Sequence, residues 1–424
     1  MAGFTKTNEL GAKRGYTYRL TRRQFLIATS AAALAACGPG AAPSGPGSPT
    51  AAAGKPMKIG QLLPFTGVYS ELGNSMRRAT ELYLKQNENR LANRPVTVVY
   101  EDDANVTATG LQKAQKLIDQ DQVDVLLGVV PTPLAYGLRN VVHNAKMIFI
   151  DTNAGGNSLT RDVANCMPTC KSPYVFRVSF SSYQISYPIG DYLSAKGTKE
   201  FFLAYANYGF GTESAADFTT GLKKNGGSTT GNVAPPLGNT NWSTFVTQIK
   251  NQPTKNVYSF FSGADAIGFI KEWNLQGLPA AGYKMYGAGF LTEQDVLKEV
   301  KELANGAVTS LFWAVELDNA ENKKFVADFQ KQYPLLPDVF AVQAYDGMHA
   351  LDEALKKIGG DADKEKLIKA LEDVTFKSPR GDFAFDKATH NPIQDIYIRE
   401  VKTQGGQTVN TILDKVAKVA DPGK

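Results

Sequence analysis

The sequence predicts an α/β protein built from two doubly wound parallel-sheet lobes joined by a hinge that the chain crosses several times. Three observations predict it. Strand-like and helix-like segments alternate from residue 57 onward, the pattern of parallel sheets with helices on both faces. The alternation breaks over residues 152–172, rich in Gly, Asn and Pro, and then restarts. About 370 residues follow the N-terminal segment, enough for two lobes.

The first set opens with a strand at 57–64 and a helix at 71–89, whose Leu72, Met76, Ala79, Leu82 and Tyr83 recur at helical spacing. Strand 96–100, helix 109–119, strand 123–130, helix 134–144 and strand 147–150 complete it. The second set runs through strand 174–178, helix 183–196, strand 200–205, helix 212–224, strand 228–233, helix 242–251, strand 256–261, helix 264–276 and strand 284–286. Around 306–313 the chain is expected to turn back to the first lobe, where helices at 319–333 and 340–357 would pack. Residues 383–401 alternate apolar and polar side chains and read as antiparallel strands. Ligands of such sheets bind beyond the carboxyl ends of the strands, so the expected site is the cleft between the lobes.

The N-terminus carries an address rather than a fold. Arg22-Arg23 precede an apolar run, 25–36, that is too short to span a bilayer, which takes about 20 residues. Arginine pairs in this setting resemble a twin-arginine export signal. The run closes on Leu34-Ala35-Ala36-Cys37, which resembles a lipoprotein box with Cys37 as the lipidated residue; a small-residue cleavage site beside an incidental cysteine is the alternative. Residues 38–54 are Gly, Pro, Ala and Ser in the main and cannot bury apolar surface, so they read as a tether. The expected division is a signal at 1–36, a lipidated cysteine and linker at 37–55, a first lobe at 56–176 with 307–379, and a second at 177–306 with 380–421.

Charge follows the same division. Six of the 46 basic and one of the 41 acidic residues lie within 1–36, which leaves 40 of each beyond it. The pI near 8.8 therefore belongs to the signal and gives no nucleic-acid footprint. Beyond Cys37 the cysteines are Cys166 and Cys170. In an oxidising compartment a close pair reads as a disulfide; a metal site is the rival, and two cysteines with no histidine beside them make a poor one. No metal and no cofactor are expected.

Four segments, in this order and spacing, resemble the leucine/isoleucine/valine-binding protein family, a type I periplasmic binding fold that serves ABC importers. They are 58–67 (KIGQLLPFTG), 98–103 (VVYEDD), 128–132 (GVVPT) leading to 150–155 (IDTNAG), and 205–211 (YANYGFG). The resemblance covers nearly all of 57–400. It implies that Thr132 meets the ligand carboxylate at a helix N-terminus, where free N–H groups and the helix dipole favour an anion; Thr132 as a plain N-cap is the alternative. Pro133 suits the first helical turn, which needs no N–H. Asn153 and Gly155 occupy the places of the second loop, where the family uses backbone carbonyls and a hydroxyl that Gly155 lacks. Tyr208 matches the tyrosine that covers the ligand. Tyr183, beside the hinge, either walls the cleft or packs.

One departure bears on the ligand. Amino-acid-binding relatives place an acid near Gly289 to receive the ammonium, and here the run is Gly287-Ala288-Gly289-Phe290. A buried ammonium without an anion is costly. Asp265 is a possible substitute, or an N-terminal cap of the following helix. Receptors for aromatic acids in this family resemble the chain around 261–265 (FSGAD) and 289–293 (GFLTE). The expected ligand is thus a small carboxylate, an amino acid or an organic acid, handed by a monomer to a membrane permease, with a lipid anchor and no nucleic-acid partner. A ligand-sensing module of the same fold is the alternative; against it, no membrane span or appended domain is read after the lobes. An enzyme is not expected: His143, His349 and His390 accompany no nucleophile elbow, metal-binding histidine pair or phosphate loop.

Overall fold

The structure, a computed structural model, describes residues 54–162, 171–361 and 363–423. Cys37, Arg22 and Arg23, and the Cys166 and Cys170 pair, lie outside the described residues.

In chain order the elements are β1 (Met57–Leu63), α1 (Ser70–Gln86), β2 (Arg90–Leu91), β3 (Arg94–Asp102), α2 (Thr107–Asp119), β4 (Val125–Gly128), α3 (Thr132–Asn144), β5 (Phe149–Asp151) and β6 (Val175–Arg177). There follow α4 (Ser182–Ala195), β7 (Glu200–Tyr205), α5 (Gly209–Lys223), β8 (Ser228–Val233), α6 (Ser243–Lys250), β9 (Asn256–Phe260), α7 (Gly263–Leu275), β10 (Lys284–Ala288), α8 (Gln294–Val300) and β11 (Val308–Leu311). The chain ends with α9 (Ala320–Gln332), α10 (Val339–Lys357), α11 (Lys364–Glu372), β12 (Thr375–Ser378), β13 (Gly381–Asp386), β14 (Asn391–Pro392), β15 (Gln394–Gln404) and β16 (Gln407–Val419).

Two sheets carry the lobes. The first has the order β2-β3-β1-β4-β5-β6, with β3, β1, β4, β5 and β6 parallel. The second has the order β16-β15-β11-β10-β9-β7-β8; its β11, β10, β9, β7 and β8 are parallel, and β15 and β16 close one edge antiparallel. Alternation along each strand feeds both faces. In β1, Met57 and Ile59 pack with α1, α10 and α11, whereas Leu62 packs with α2 and α3. In β7, Phe201 and Leu203 meet α4 and α5, whereas Phe202 and Ala204 meet α6 and α7.

Two boundaries differ from the sequence expectation. Residues 306–313 do not yet return to the first lobe: they supply β11, held between β10 and β15 of the second sheet. Residues 381–392 do not belong to the second lobe's core. They pair with β12 in a small three-stranded sheet, and the inward Phe383 and Phe385 join the first lobe's core. In both cases pairing geometry and an alternating apolar face decide the placement, and neither is visible in the order of segments alone.

The chain therefore crosses between lobes after β6, after β11 and after β14. Arg380 touches all three crossings. Its guanidinium donates to Val178 O at 2.6 Å and Ser179 O at 3.3 Å, to Gln394 Oε1 at 2.9 Å, and lies 4.6 Å from the Phe312 ring centroid. Its charge is met by Asp346 on α10 at 2.7 Å.

Candidate functional site

The loops that follow β1, β4, β5, β7, β9 and β10 meet at the lobe junction, all at the carboxyl ends of parallel strands. There they line a narrow pocket, partly open to solvent, with a cavity volume of about 20 Å³, so the surrounding side chains nearly fill it. The lining comprises Tyr69 and Leu72 at the start of α1, Val130 and Thr132 around the start of α3, Asn153 and Gly155 after β5, Tyr208 and Phe210 at the start of α5, Phe260 and Ser262 before α7, and Phe290, with Phe180 from the first crossing and Phe340 from α10.

The walls are aromatic. Phe210 lies 4.7 Å from Phe260 and 5.7 Å from Phe180 between ring centroids, and Phe290 lies 5.1 Å from Phe180 and 5.5 Å from Phe340. Gly155 makes this possible. A Cβ there would fall 2.3 Å from ring carbons of both Phe180 and Phe210. The absent hydroxyl at this position thus corresponds to two phenylalanine rings that take its space.

The polar groups come from helix starts. Thr132, Tyr208 and Ser262 stand at the N-termini of α3, α5 and α7, and none of these three helices is capped by the side chain of its N-cap residue (Pro131, Tyr208 or Ser262). First-turn N–H groups lack partners within the helix, and the helix dipole adds partial positive charge at the same end. A Cβ on Gly209 would lie 3.7 Å from Thr132 Cγ2, so the starts of α3 and α5 face each other across the cleft. Among the described residues no Asp, Glu, Lys or Arg lines the pocket, although Asp265 and Glu213 act on the Tyr208 hydroxyl from behind the lining. The helix N-termini offer an anion partial positive charge.

Two hydroxyls bridge the lobes here: Tyr69 Oη donates to Tyr208 Oη at 3.1 Å. Burial pushes both phenols above their usual range, so both remain hydroxyl donors. Further along the cleft, Glu213 on α5 accepts from Tyr136 Oη at 2.6 Å and from the Asn157 N–H at 2.6 Å, and Asp217 accepts from Asn157 Nδ2 at 2.8 Å. Burial raises both carboxyls.

Of the residues singled out in the sequence, the pocket brings together Thr132, Asn153, Gly155, Tyr208 and Phe290. Asn153 is oriented by its Nδ2, which donates to Gln343 Oε1 at 2.8 Å. Four others lie outside it. Pro133 is exposed on the outer side of the first turn of α3. Tyr183 stacks on Tyr187 at 4.7 Å along α4. Asp265 points back to accept the Gly238 N–H at 3.0 Å, and burial pushes its carboxyl up to about 6 against the pull of that bond. Gly289 faces away from the pocket: a Cβ there would meet Arg399 Nη2 and Leu311 Cβ at 2.5 Å.

Sequence reasoning missed Tyr69, Leu72, Val130, Phe180, Phe210, Phe260, Ser262 and Phe340 as pocket residues. Ser262 had a signal, a hydroxyl between strand and helix at the same topological place as Thr132. The phenylalanines had none that distinguishes a pocket wall from a core.

These features define a two-lobed solute-binding protein whose site is a junction cleft. Residues 56–407 match the periplasmic binding protein family, and the chain belongs to it. It binds a solute and is not an enzyme. Leu/Ile/Val-binding protein homolog 6 of Brucella melitensis is 30% identical over 372 residues, 87% of this chain and 93% of that protein. A solute-binding protein of an ABC transporter from Rhodopseudomonas palustris BisB5, solved with 3,4-dihydroxybenzoic acid, is 32% identical with a TM-score of 0.82, covering 87% of this chain and 99% of its own. Another from R. palustris, solved with benzoate, is 33% identical with a TM-score of 0.79, covering 85% and 98%. Among the described residues no helix is long and apolar enough to cross a membrane.

Proposed function

We propose that this protein is the solute-binding component of an ABC importer and captures a small aromatic carboxylate without an amine. The observation that carries the reading is the pocket lining: three helix N-termini and several phenylalanines, with no acidic side chain among the described residues. A carboxylate gains from uncapped N–H groups and dipoles. An aromatic ring gains from edge and face contacts with Phe180, Phe210, Phe260 and Phe290. An α-ammonium would lose its hydration with no carboxylate to replace it. The benzoate and dihydroxybenzoate bound by the two R. palustris proteins support the same class.

The test is a thermal-shift screen with two panels, benzoate and its hydroxylated forms against branched-chain and aromatic amino acids. A ligand at about 100 times its Kd adds roughly 2.7 kcal/mol of stability, a readily visible shift. A shift with amino acids alone overturns the reading.

The export and anchoring reading belongs with this role. Arg22-Arg23 supports twin-arginine export, Cys37 after two alanines supports lipidation, and the Gly/Pro/Ala tether that follows supports free movement of the lobes beside a permease. A diacyl anchor holds where a single chain would not. The expected outcome of Cys37→Ser is release of the protein from the membrane fraction. Cys166 and Cys170 are proposed to pair as a disulfide, and the protein to act as a monomer.

A further inference from the structure

A groove outside the ligand pocket joins α8 of the second lobe to α1 and α10 of the first; Glu71, Asp295, Glu302 and Asp338 line it, and Glu293 is buried just before α8. Glu71 on α1 takes Arg78 and Lys298, each at 3.0 Å. Glu293, just before α8, takes Arg399 at 2.7 Å and the Val339 N–H of the first lobe at 2.9 Å. Asp338 caps α10, accepting the Ala341 N–H at 2.9 Å and Ser75 Oγ at 2.5 Å, and forms no ion pair among the described residues. Asp295, in the first turn of α8, has neither an ion pair nor a hydrogen bond: both carboxylate oxygens are buried with no partner among the described residues.

Asp295 and Asp338 line the same groove, with only 4% and 5% of their surface exposed. The other charged groups lining it are Glu71, Lys298, Lys301 and Glu302. Lys298 is engaged by Glu71. Arg78, Lys298 and Arg399 thus serve Glu71 and Glu293, whereas Asp295 and Asp338 form no ion pair among the described residues; Lys301 lines the same groove and Lys298 opposes their charge from beyond ion-pair distance. No group of three or more acidic, histidine or cysteine side chains among the described residues could hold a metal ion. Two buried carboxylates without ion pairs cannot both stay ionised at low cost.

We propose that Asp295 and Asp338 share one proton across the lobe junction, and that closing the lobes takes that proton up. Each residue comes from a different lobe, so separating the lobes restores water to both and lets both ionise. Burial raises both carboxyls, and their mutual repulsion raises Asp295 further, with Lys298 opposing. A group whose pKa is higher in the closed state binds its proton there, so closure is favoured by acid and weakened as pH rises. Ligand affinity would then fall by up to about tenfold per pH unit across the window between the open and closed pKa values. The inference stands on the junction itself and does not depend on the ligand being aromatic.

Infrared difference spectroscopy of the purified chain at neutral pH, parent minus Asp295→Asn, tests the proton directly. The expected result is a carboxylic-acid carbonyl band in the parent that the variant lacks, with unchanged circular dichroism. No such band overturns the proposal. Calorimetric titration with benzoate in two buffers of different ionisation heat tests the uptake. Buffer-dependent heat that shrinks in Asp295→Asn supports it; buffer-independent heat, or equal uptake in both proteins, overturns it. If benzoate gives no heat, the aromatic-acid reading fails, while the infrared result still decides whether the proton is there.

Discussion

The hydroxyl of Tyr69 donates to the hydroxyl of Tyr208 at 3.1 Å, and this bond runs from the first lobe to the second across the ligand pocket. It assigns two tasks to one pair. The bond links the two lobes, and the Tyr208 ring, 6.1 Å from that of Phe260, lines the pocket. Tyr69→Phe removes only the bond, worth about 1 kcal/mol, and is expected to weaken benzoate binding about fivefold. Tyr208→Ala also removes the wall and is expected to cost more than about tenfold. Calorimetric titration separates the two; unchanged affinity in Tyr208→Ala would place the ligand elsewhere.

Gly155 tests the aromatic wall from the other side. A methyl group there meets Phe180 and Phe210 at 2.3 Å, and these rings belong to the junction core. Overpacking of this kind costs typically 1–3 kcal/mol. Gly155→Ala is therefore expected to lower the melting temperature by several degrees and to abolish benzoate binding, because the displaced rings fill the pocket. A variant with parent-like affinity would show that the two rings do not form its wall.

Much of this was legible in the sequence, for reasons that differ by residue. The strands at 200–205 and 228–233 are bounded by polar turns and match β7 and β8 end to end. Thr132 and Tyr208 were singled out through the family resemblance, and both stand at strand-to-helix turns that line the pocket. Phe340 could not be: it reaches the pocket from α10, about two hundred residues beyond Thr132, and only the second crossing brings it there. Asp265 and Gly289 were singled out as the two places for an ammonium partner, and both turn away from the pocket, Asp265 to a backbone N–H and Gly289 to Arg399. Which side of a loop faces a ligand is set by what packs behind it, and that is tertiary information.

Arg380 should behave as the pin of the hinge. It is buried, its charge is matched by Asp346, and its remaining N–H groups hold carbonyls on the first crossing and Gln394 on the third. Removing one partner of a buried pair typically costs 3–5 kcal/mol, because the other charge is left uncompensated. Arg380→Met is expected to lose stability of that order in urea denaturation. Adding Asp346→Leu should recover part of it, since the stranded carboxylate goes too. A double variant as unstable as the single one would assign the loss to the crossing contacts instead.

Asp103 carries a pH prediction whose sign follows from its burial. Its Oδ1 accepts the Asn105 N–H at 2.7 Å, its Oδ2 is buried without a partner among the described residues, and desolvation pushes the carboxyl up to about 7, with Asp102 adding to the shift. An unfolded aspartate titrates near 4. Between about 4 and 7 the native state therefore holds a proton that the unfolded chain releases, and stability falls as pH rises through that window. Asp151 and Glu293, also pushed to about 7 by burial, act in the same direction. Asp103→Asn keeps the acceptor for Asn105 and removes the charge. The variant should match the parent within about 1 kcal/mol at pH 4.5 and exceed it by about 1–3 kcal/mol at pH 8, the scale of an uncompensated buried polar group. Urea denaturation at these two pH values reads the difference. Parallel pH slopes in the two proteins would mean that Asp103 is already ionised in the native state, with water or a cation at its second oxygen.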